Sequence, residues 1–372
     1  MSAFETAGED AAFLERQLIT YLGNKRSLLG FIDEGIKLVR RRTGKNRLSV
    51  FDAFSGSGIV ARFCKRYAAR LVANDLETYS RVINSCYLAN RSEVSLELIR
   101  ELHRELVSKL EDGNLREGII TRLYSPVDES NIRIGERVFY SARNARYIDT
   151  ARLQIDFLPL TLRKFFLAPL LSEASKHVNT AGVFKGFYKD STTGIGRFGG
   201  RRKQALSRIL GEIHLPLPIL SNFESEVELH QEDANSLAGK IKDIDLSYID
   251  PPYNQHPYGS NYFMLNLIVS NQNPSRISKI SGIPANWKRS LYNKKAKSYQ
   301  VLEDLISTLD SKFVLLSFNS EGFIKPDEMN KLLSRYGKLD VIETRYNAFR
   351  ASRNLSSRDI HVKEYLYLLE KS

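Results

Sequence analysis

Cysteine and long apolar runs are both scarce in this chain of 372 residues. Its two cysteines, Cys64 and Cys86, lie in apolar stretches with helical spacing and offer neither a disulfide framework nor a metal-ligand spacing. No window reaches the roughly 18 apolar residues that a membrane-spanning helix needs. Residues 1–18 lack the basic start and apolar run of a secretory signal. We therefore expect a cytoplasmic protein with reduced core cysteines and no membrane segment.

Several catalytic signatures are missing as well. We find no P-loop, no Ser-His-Asp arrangement, and no His/Cys cluster with the spacing of a metal site. No internal repeat or long low-complexity tract is visible. Nucleotide hydrolysis on a P-loop, hydrolysis by a serine triad and zinc chemistry are therefore disfavoured.

Positive charge is in excess, with 55 Lys and Arg against 43 Asp and Glu and a formal net charge of +12. Clustered Lys and Arg gain affinity for polyanions because they release the counterions that condense on phosphates. Hydrophobic residues make up 42% of the chain, which is ordinary for a folded globular protein. The composition is thus typical of a folded protein and is compatible with a nucleic-acid partner.

Residues 47–90 alternate between strand-like and helix-like patterns. An apolar run at 47–51 enters a glycine-containing turn, helical spacing follows over 59–69, a second apolar run covers 71–73, and helical spacing resumes over 79–89. This β-α-β-α order predicts an α/β fold in which helices cross over between parallel strands.

The alternation stops between residues 95 and 224, where charged helical stretches precede a segment rich in basic, aromatic and glycine residues. Strand-like runs return at 227–230, 244–249, 313–318, 339–344 and 364–369, and the last two fit an antiparallel pair that closes the sheet. We therefore expect one catalytic domain formed by residues 1–94 and 225–372, interrupted by an inserted, largely helical recognition module at 95–224.

The turn after the first strand contains Asp52, Gly56 and Gly58. Glycines without a Cβ at the carboxyl edge of a sheet let a flat ligand approach beside a helix N-terminus. The third glycine of a dinucleotide fingerprint is absent, and the charge of Asp52 would repel a pyrophosphate but can pair with an ammonium. A ligand with an amino-acid end fits this turn better than a dinucleotide.

Asp75 ends the second predicted strand. A carboxylate at this place can accept hydrogen bonds from both ribose hydroxyls of a nucleoside. It can equally be the N-cap of the helix that follows. The glycine turn upstream favours the ribose role.

Asp250, Pro251, Pro252 and Tyr253 follow the apolar run 244–249 and so lie at another strand's carboxyl end. The prolines stiffen the turn, which holds the Asp250 carboxylate and the Pro251 carbonyl as two fixed acceptors beside a flat Tyr253 ring. An aromatic amine is a poor nucleophile, and two acceptors for its N–H bonds favour a lone pair that points outward. The tetrapeptide indicates methyl transfer from a sulfonium to such an amine; a merely rigid loop is the alternative.

Together these motifs resemble the Dam-like group of DNA adenine-N6 methyltransferases. The resemblance covers most of the chain and implies a Rossmann-like sheet that binds S-adenosylmethionine. It assigns Asp52, Gly56 and Gly58 to the cofactor's glycine motif, Asp75 to its ribose, and the tetrapeptide to catalysis. It adds further cofactor contacts, which are Tyr21, Gly23, Lys25 at the methionine end, Phe54, and Asp233 near the cofactor adenine. Glu232 is the alternative to Asp233.

The resemblance also implies contacts to duplex DNA from basic side chains in and after the insert. These are Lys185, Arg197, Arg201, Arg202, Lys203, Arg350 and Arg353. Segments 258–263 and 346–354 resemble borders of the DNA cleft, where aromatic residues would stack on bases, although each aromatic side chain can equally pack in the core.

The expected function is site-specific methylation of adenine N6 in duplex DNA, within a restriction-modification system whose cognate endonuclease acts separately. The nearest alternative is the same reaction on RNA. Methylation of cytosine N4 or of a protein glutamine is disfavoured, since those families usually begin the tetrapeptide with Ser or Asn instead of Asp250. A catalytically silent DNA-binding protein would need a broken motif, and none is present.

Overall fold

The sheet at the centre of the molecule is defined by a computed structural model that describes residues 8–200, 205–347 and 361–372. Within these ranges seven strands form one sheet. They are β1 (Leu48–Asp52), β2 (Ala68–Asn74), β3 (Glu226–His230), β4 (Ile244–Ile249), β5 (Ser311–Asn319), β6 (Gly337–Asn347) and β7 (His361–Lys371).

The strands lie in the order β3-β2-β1-β4-β5-β7-β6. The five from β3 to β5 are mutually parallel, whereas β7 is antiparallel to both β5 and β6. The chain builds outward from β1 to β3 and then returns to place β4 on the other side of β1. The predicted parallel sheet closed by an antiparallel pair is therefore confirmed.

The central strands are apolar because both faces of the sheet are covered. Every residue of β4 is buried, as are four of the five residues of β1. Parallel strands covered by helices on both sides read as continuous hydrophobic runs, which explains why these two strands were visible in the sequence.

The described helices connect and cover the strands. They are α1 (Ala11–Glu15), α2 (Leu29–Thr43), α3 (Ile59–Cys64), α4 (Thr78–Tyr87), α5 (Leu96–Glu111), α6 (Ile119–Tyr124), α7 (Ala142–Asp156), α8 (Leu160–Lys176), α9 (Leu206–Leu210), α10 (Ala234–Ala238), α11 (Tyr258–Asn261), α12 (Phe263–Ser270), α13 (Lys295–Thr308) and α14 (Pro326–Leu333). The helix predicted over 59–69 is shorter than expected, because β2 already begins at Ala68.

Two hydrophobic clusters cover the two faces of the sheet. One cluster joins α10, α13 and α14 to side chains such as Val72 and Val314. The other joins α2, α3, α4 and α12 to side chains such as Val50 and Leu71, and it also contains Cys64 and Cys86 as buried free thiols. Among the described residues, no helix combines the length and the apolar character needed to cross a membrane.

Helices α5 to α9 follow α4 and precede β3, within the stretch 95–224 expected to be inserted. The buried hydrophobic side chains of α5 to α8 belong to the same cluster as those of α4 and α12, so this stretch shares its core with one face of the sheet. Asp149 on α7 fixes the start of α6, since its carboxylate accepts from the N–H groups of Gly118, Ile120 and Thr121. The division of the chain into three parts stays a prediction.

Candidate active site

The site lies where the strand order reverses, between β1 and β4. In an open α/β sheet the carboxyl ends of two strands that diverge in this way leave a crevice for a ligand. Asp52 ends β1 and Asp250 directly follows β4, and these strands are hydrogen-bonded neighbours. Asp75 follows β2 at the same edge, so the three predicted motifs converge on one place.

A cleft with about 880 Å³ of empty space, its open mouth included, occupies this edge. It is lined by side chains from four strand ends, from the N-terminal segment and from residues 288–293. The predicted residues among its lining are Tyr21, Gly23, Lys25, Asp52, Phe54, Gly56, Asp75, Asp233, Asp250 and Pro252.

Gly56 and Gly58 both have left-handed backbone angles, with φ of +51° and +77°. A Cβ at residue 56 would lie 2.9 Å from a ring carbon of Tyr21, and one at residue 58 would lie 2.8 Å from Asn84 Oδ1. Gly56 lines the cleft, whereas Gly58, which lies at the start of α3, faces the side chain of Asn84. Glycine is required at both positions by the turn and by packing, independently of any ligand.

Asp75 ties the glycine turn to the end of β2. Its Oδ2 accepts from the Gly56 N–H at 2.7 Å and its Oδ1 from the Glu77 N–H at 2.8 Å. Burial raises the pKa of Asp75, and these two N–H groups oppose the rise. Helix α4 begins at Thr78 with Glu77 as its N-cap, so Asp75 is not the cap.

Asp52 is a buried carboxylate with no donor in good hydrogen-bonding geometry. Its exposed fraction is 1%, and neither carboxylate oxygen has a hydrogen-bond partner among the described residues. Burial raises the pKa of Asp52 to about 7, since the nearby Ser55 hydroxyl and Phe54 N–H only partly oppose the rise, to which the negative charges of Asp250 and Asp75 add. A buried acceptor of this kind fits a cationic group of a ligand, because burying an unpaired charge is costly.

Asp250, in contrast, has a protein cation beside it. The Lys25 Nζ lies 3.2 Å from Asp250 Oδ1 and 2.7 Å from Glu364 Oε1 on β7. Burial alone would lower the pKa of Lys25, but Asp250 and Glu364 hold it well above its ordinary value. Burial raises the pKa of Asp250 to about 6, with Lys25 opposing the rise and Glu364 adding to it.

The rest of the tetrapeptide shapes the turn after β4. Pro251 is buried, and Pro252 lines the cleft. Tyr253 is half-buried with its ring edge-on to Phe318 at a centroid distance of 5.8 Å, and its carbonyl accepts from the Phe323 N–H. The Asp250 side chain keeps 18% of its surface exposed, so its carboxylate can meet a substrate.

The aromatic residues expected to border DNA mostly pack inside the protein. Tyr262 and Phe263 are 0% and 2% exposed. Tyr21 stacks on Tyr258 at 5.0 Å and on Tyr262 at 4.7 Å between ring centroids. The core alternative is therefore correct for Tyr262 and Phe263, while Tyr258 lines the cleft. The segment 348–354 lies outside the described residues.

The remaining predicted cofactor residues lie at the cleft in differing ways. Gly23 has φ of +73° and approaches the hydroxyls of Tyr258 and Tyr253. Phe54 lines the cleft and packs edge-on to Tyr292 at 5.2 Å. Asp233 is exposed and caps α10, since its Oδ1 accepts from two backbone N–H groups of that helix.

Glu232, the rival of Asp233, also lines the cleft. Its carboxylate binds Lys240 Nζ at 2.6 Å, and its N–H donates to Asn74 Oδ1. Both acidic residues therefore have protein partners, and the geometry does not choose between them.

Sequence reasoning missed the segment that covers one side of the cleft. Lys288 Nζ donates to the Leu76 carbonyl at 2.5 Å, and Asn293 donates to the Asn254 carbonyl beside the tetrapeptide at 2.8 Å. Ser290 and Tyr292 complete this wall. No glycine turn or strand-end acid marks the segment, so its role depends on tertiary packing alone.

Glu364 was also missed as a site residue. It was visible only as the single charge at the start of the predicted strand 364–369. A charged residue at the start of an apolar strand is usually solvated, whereas Glu364 is 0% exposed. Its partner Lys25 is 339 residues away in sequence, which no local pattern indicates.

The predicted DNA-binding residues are only partly described. Lys185 is exposed, whereas Arg197 is half-buried with its Nη1 3.7 Å from Asp190 Oδ2. Burial and the positive charge of Lys185 lower the pKa of His256, which follows the tetrapeptide closely. Five predicted contacts lie outside the described residues: Arg201, Arg202, Lys203, Arg350 and Arg353.

No cluster of three or more His, Cys, Asp or Glu side chains suited to a metal ion occurs in the part of the chain that the structure describes. A sequence profile of D12 class N6 adenine-specific DNA methyltransferases matches residues 21–332. This range begins at Tyr21 and includes the glycine turn, Asp75, the stretch 95–224 and the tetrapeptide. The chain belongs to this family.

It is therefore an adenine-specific DNA methyltransferase, and its sheet is the Rossmann-like sheet of such enzymes. Family membership identifies adenine in DNA as the substrate. It favours this substrate over the alternatives considered from the sequence, namely RNA, cytosine N4 and protein glutamine.

Characterised relatives align along nearly the whole chain. Type II methyltransferase M.NlaIII of Neisseria lactamica is 31% identical over 95% of this chain and 100% of that protein. Type II methyltransferase M.CviAII of Paramecium bursaria Chlorella virus 1 is 29% identical over 94% of this chain and 98% of that protein. Modification methylase StsI of Streptococcus sanguinis is 27% identical, and the match covers 94% of this chain but 52% of that protein.

Proposed function

We propose that this enzyme transfers a methyl group from S-adenosylmethionine to N6 of an adenine rotated out of duplex DNA, with Asp250 as the acceptor that orients the amine. The observation that carries the proposal is the pair of carboxylates at the switch point, of which Asp52 is buried and Asp250 is partly exposed to the cleft. Asp250 is held by Lys25, whereas Asp52 has no donor. One is thus prepared for a neutral amine and the other for a cation.

The residues at the β1 and β2 ends fit the cofactor. Asp52 would pair with the ammonium of its amino-acid end, and Asp75 would accept from the ribose hydroxyls through the lone pairs that its two N–H contacts leave free. Tyr21, Gly23 and Phe54 would border it, with Lys25 near the methionine end and Asp233 or Glu232 at the adenine. When bound, S-adenosylmethionine supplies an electrophilic methyl group on a sulfonium.

The tetrapeptide would receive the substrate amine. Adenine inside a duplex cannot present N6 to a cleft at a sheet edge, so the base must leave the stack at a cost of a few kcal/mol. Stacking on Tyr253 would offset about 1 to 3 kcal/mol of that cost. Asp250 and the Pro251 carbonyl would accept the two N–H bonds, and Pro252 would keep the turn rigid.

We assign phosphate contacts to basic residues of the insert and of the segment after β6. Lys185 is the described member of this set that is exposed, and its charge acts on His256, which follows the tetrapeptide closely. Arg197 can join it only if its contact with Asp190 is exchanged for a phosphate. The relatives named type II methyltransferases support a restriction-modification setting with a separate cognate endonuclease, and a cytoplasmic location stays a prediction.

The proposal predicts that Asp250→Ala lowers the rate of DNA methylation by at least about 100-fold, because the amine loses its oriented acceptor. Affinity for S-adenosylmethionine should change by less than about threefold, since Asp250 acts on the other substrate. Methyl transfer to duplex DNA and calorimetric cofactor binding measure the two quantities. Asp310→Ala, at an exposed aspartate before β5, is the matched control and should leave both unchanged. Retained turnover in Asp250→Ala would exclude the catalytic role.

A further inference from the structure

A cluster of three charged side chains links Asp250 of the tetrapeptide to strand β7. Lys25 and Glu364 are 3% and 0% exposed, and Lys25 Nζ bridges Glu364 Oε1 at 2.7 Å and Asp250 Oδ1 at 3.2 Å. The shorter contact is with Glu364, so the ammonium is held mainly by the strand and only secondarily by the catalytic carboxylate.

Glu364 is fixed by the sheet itself. It stands on β7 opposite Asn319 of β5 and Thr344 of β6, with hydrogen-bonded strands on both sides. Its Oε1 also accepts from Ser317 Oγ at 2.6 Å. The carboxylate therefore has a well-defined position from which to hold Lys25.

Stability alone does not account for this cluster. A buried ion pair of Lys25 with one carboxylate would already be neutral, and a second buried carboxylate adds a desolvation cost. Glu364 Oε2 has no hydrogen-bond partner among the described residues, so the additional charge is not fully compensated. Uncompensated buried charge is typical of functional sites.

We propose that Glu364 is a positioning residue for methyl transfer, which holds the Lys25 ammonium away from Asp250 so that the Asp250 carboxylate stays oriented and free to accept the adenine N6 hydrogens. This inference rests on the proposed role of Asp250. Without the Glu364 charge, Lys25 would turn fully to Asp250 and compete with the amine for its oxygens.

The electrostatics give this role a signature that a structural role lacks. The negative charge of Glu364 raises the pKa of Asp250, and the positive charge of Lys25 lowers it. Removing the Glu364 charge therefore lowers the pKa of Asp250, and a turnover that needs ionised Asp250 extends to lower pH. The other titratable groups that act on or respond to Asp250 stay in place: Asp52, Tyr248 and Tyr258.

The test is the single-turnover rate of DNA methylation by Glu364→Gln, measured against pH at saturating S-adenosylmethionine. The plateau rate should fall roughly 10- to 100-fold, the loss expected when a catalytic group is misoriented. The acid limb of the pH–rate profile, where the rate falls because Asp250 becomes protonated, should move to lower pH by about one unit. The KM for the cofactor should change by less than the rate, because Glu364 reaches the cofactor only indirectly through Lys25, whereas the loss of rate follows from Asp250.

Glu370→Gln is the matched control, since Glu370 lies on the same strand but pairs with Arg42 at the partly exposed end of β7. It should leave the rate and the acid limb unchanged. Glu364→Asp keeps the charge but shortens the side chain, so the rate of this variant should fall while the acid limb of its pH–rate profile stays in place. If Glu364→Gln does not fold, the rate of Glu364→Asp tests the positioning role.

An unchanged rate in either Glu364 variant, or a lowered rate of Glu364→Gln with an unmoved acid limb, would overturn the positioning role. Failure of the proposed function would be recognised separately, because the unmodified enzyme would then place no methyl group on adenine in DNA.

Discussion

At the scale of single residues, the cleft holds two carboxylates with different surroundings, Asp52 buried and Asp250 partly exposed. Asp250 has the Lys25 ammonium at 3.2 Å, whereas Asp52 has no donor. The pKa of Asp250 is raised to about 6 and that of Asp52 to about 7. Titratable groups perturbed in this way concentrate where a protein binds or transforms a ligand. Asp52 therefore costs stability in the ligand-free enzyme and regains it when a cation binds.

This reasoning predicts opposite effects of Asp52→Asn on stability and on binding. Above pH 7 the unmodified enzyme carries a buried unpaired charge at Asp52, so the variant should melt at least about 2 °C higher. The gain should shrink as pH falls through about 7, where Asp52 of the folded enzyme becomes protonated. It should vanish only near the ordinary aspartate pKa of about 4, where the unfolded chain is protonated as well. Affinity of the unmodified enzyme for S-adenosylmethionine should fall as pH drops through about 7, because binding needs ionised Asp52.

The variant itself should bind at least about tenfold more weakly at pH 8, as expected when a charge-assisted hydrogen bond is removed, and should lack that acid limb. Thermal melting and calorimetry at pH 5 and pH 8 give both readouts, and the stability gain should be clearly smaller at pH 5 than at pH 8. Equal stabilisation at the two pH values, or undiminished binding, would contradict the role given to Asp52.

At the scale of elements, β1, β2 and β4 were recognisable because each contains an apolar run that ends at a polar residue beside the cleft. Runs 47–51 and 244–249 matched β1 and β4 closely, since both strands are buried on both faces. The sequence left two alternatives open for segment 258–263, because aromatic residues look alike whether they stack on a base or pack in a core. Tyr262 is buried by ring contacts with Tyr21, Tyr79 and Phe184, which are remote in sequence and which local sequence does not reveal.

The basic part of the insert is attached directly to the catalytic segment. The Phe184 N–H donates to the Asn261 carbonyl of α11 at 2.7 Å, and Ser281 Oγ donates to the Lys185 carbonyl at 2.7 Å. Charges carried by this part of the chain therefore act close to the tetrapeptide, which makes it a suitable site for phosphate contacts.

We predict that the triple change Arg201→Ala, Arg202→Ala and Lys203→Ala weakens binding to all duplex sequences alike. The slope of the logarithm of the DNA association constant against the logarithm of the salt concentration should become less negative by about 1 for each phosphate that is no longer neutralised. A salt titration of DNA binding measures it. The matched control changes Lys45, Lys242 and Lys312 to Ala, three exposed lysines at the amino ends of the parallel strands, opposite the cleft. Equal slopes for the two triple variants would show that Arg201, Arg202 and Lys203 do not bind phosphates.

At the scale of the whole molecule, the sheet order explains why distant motifs form one site. Parallel strands share an edge for their carboxyl ends, so the meeting of Asp52, Asp75 and Asp250 could be predicted from strand patterns alone. The partner of Lys25 could not be predicted, because Glu364 reaches it only through the antiparallel return of β7 between β5 and β6. The wall at residues 288–293 likewise depends on packing between remote segments.

The most direct test of the central claim is the identity of the methylated nucleoside. Purified enzyme is incubated with methyl-labelled S-adenosylmethionine, mixed-sequence duplex DNA and, separately, RNA, and each nucleic acid is digested to nucleosides for mass analysis. The account predicts label in N6-methyladenine from DNA alone. Label in N4-methylcytosine, or in RNA but not in DNA, would contradict it.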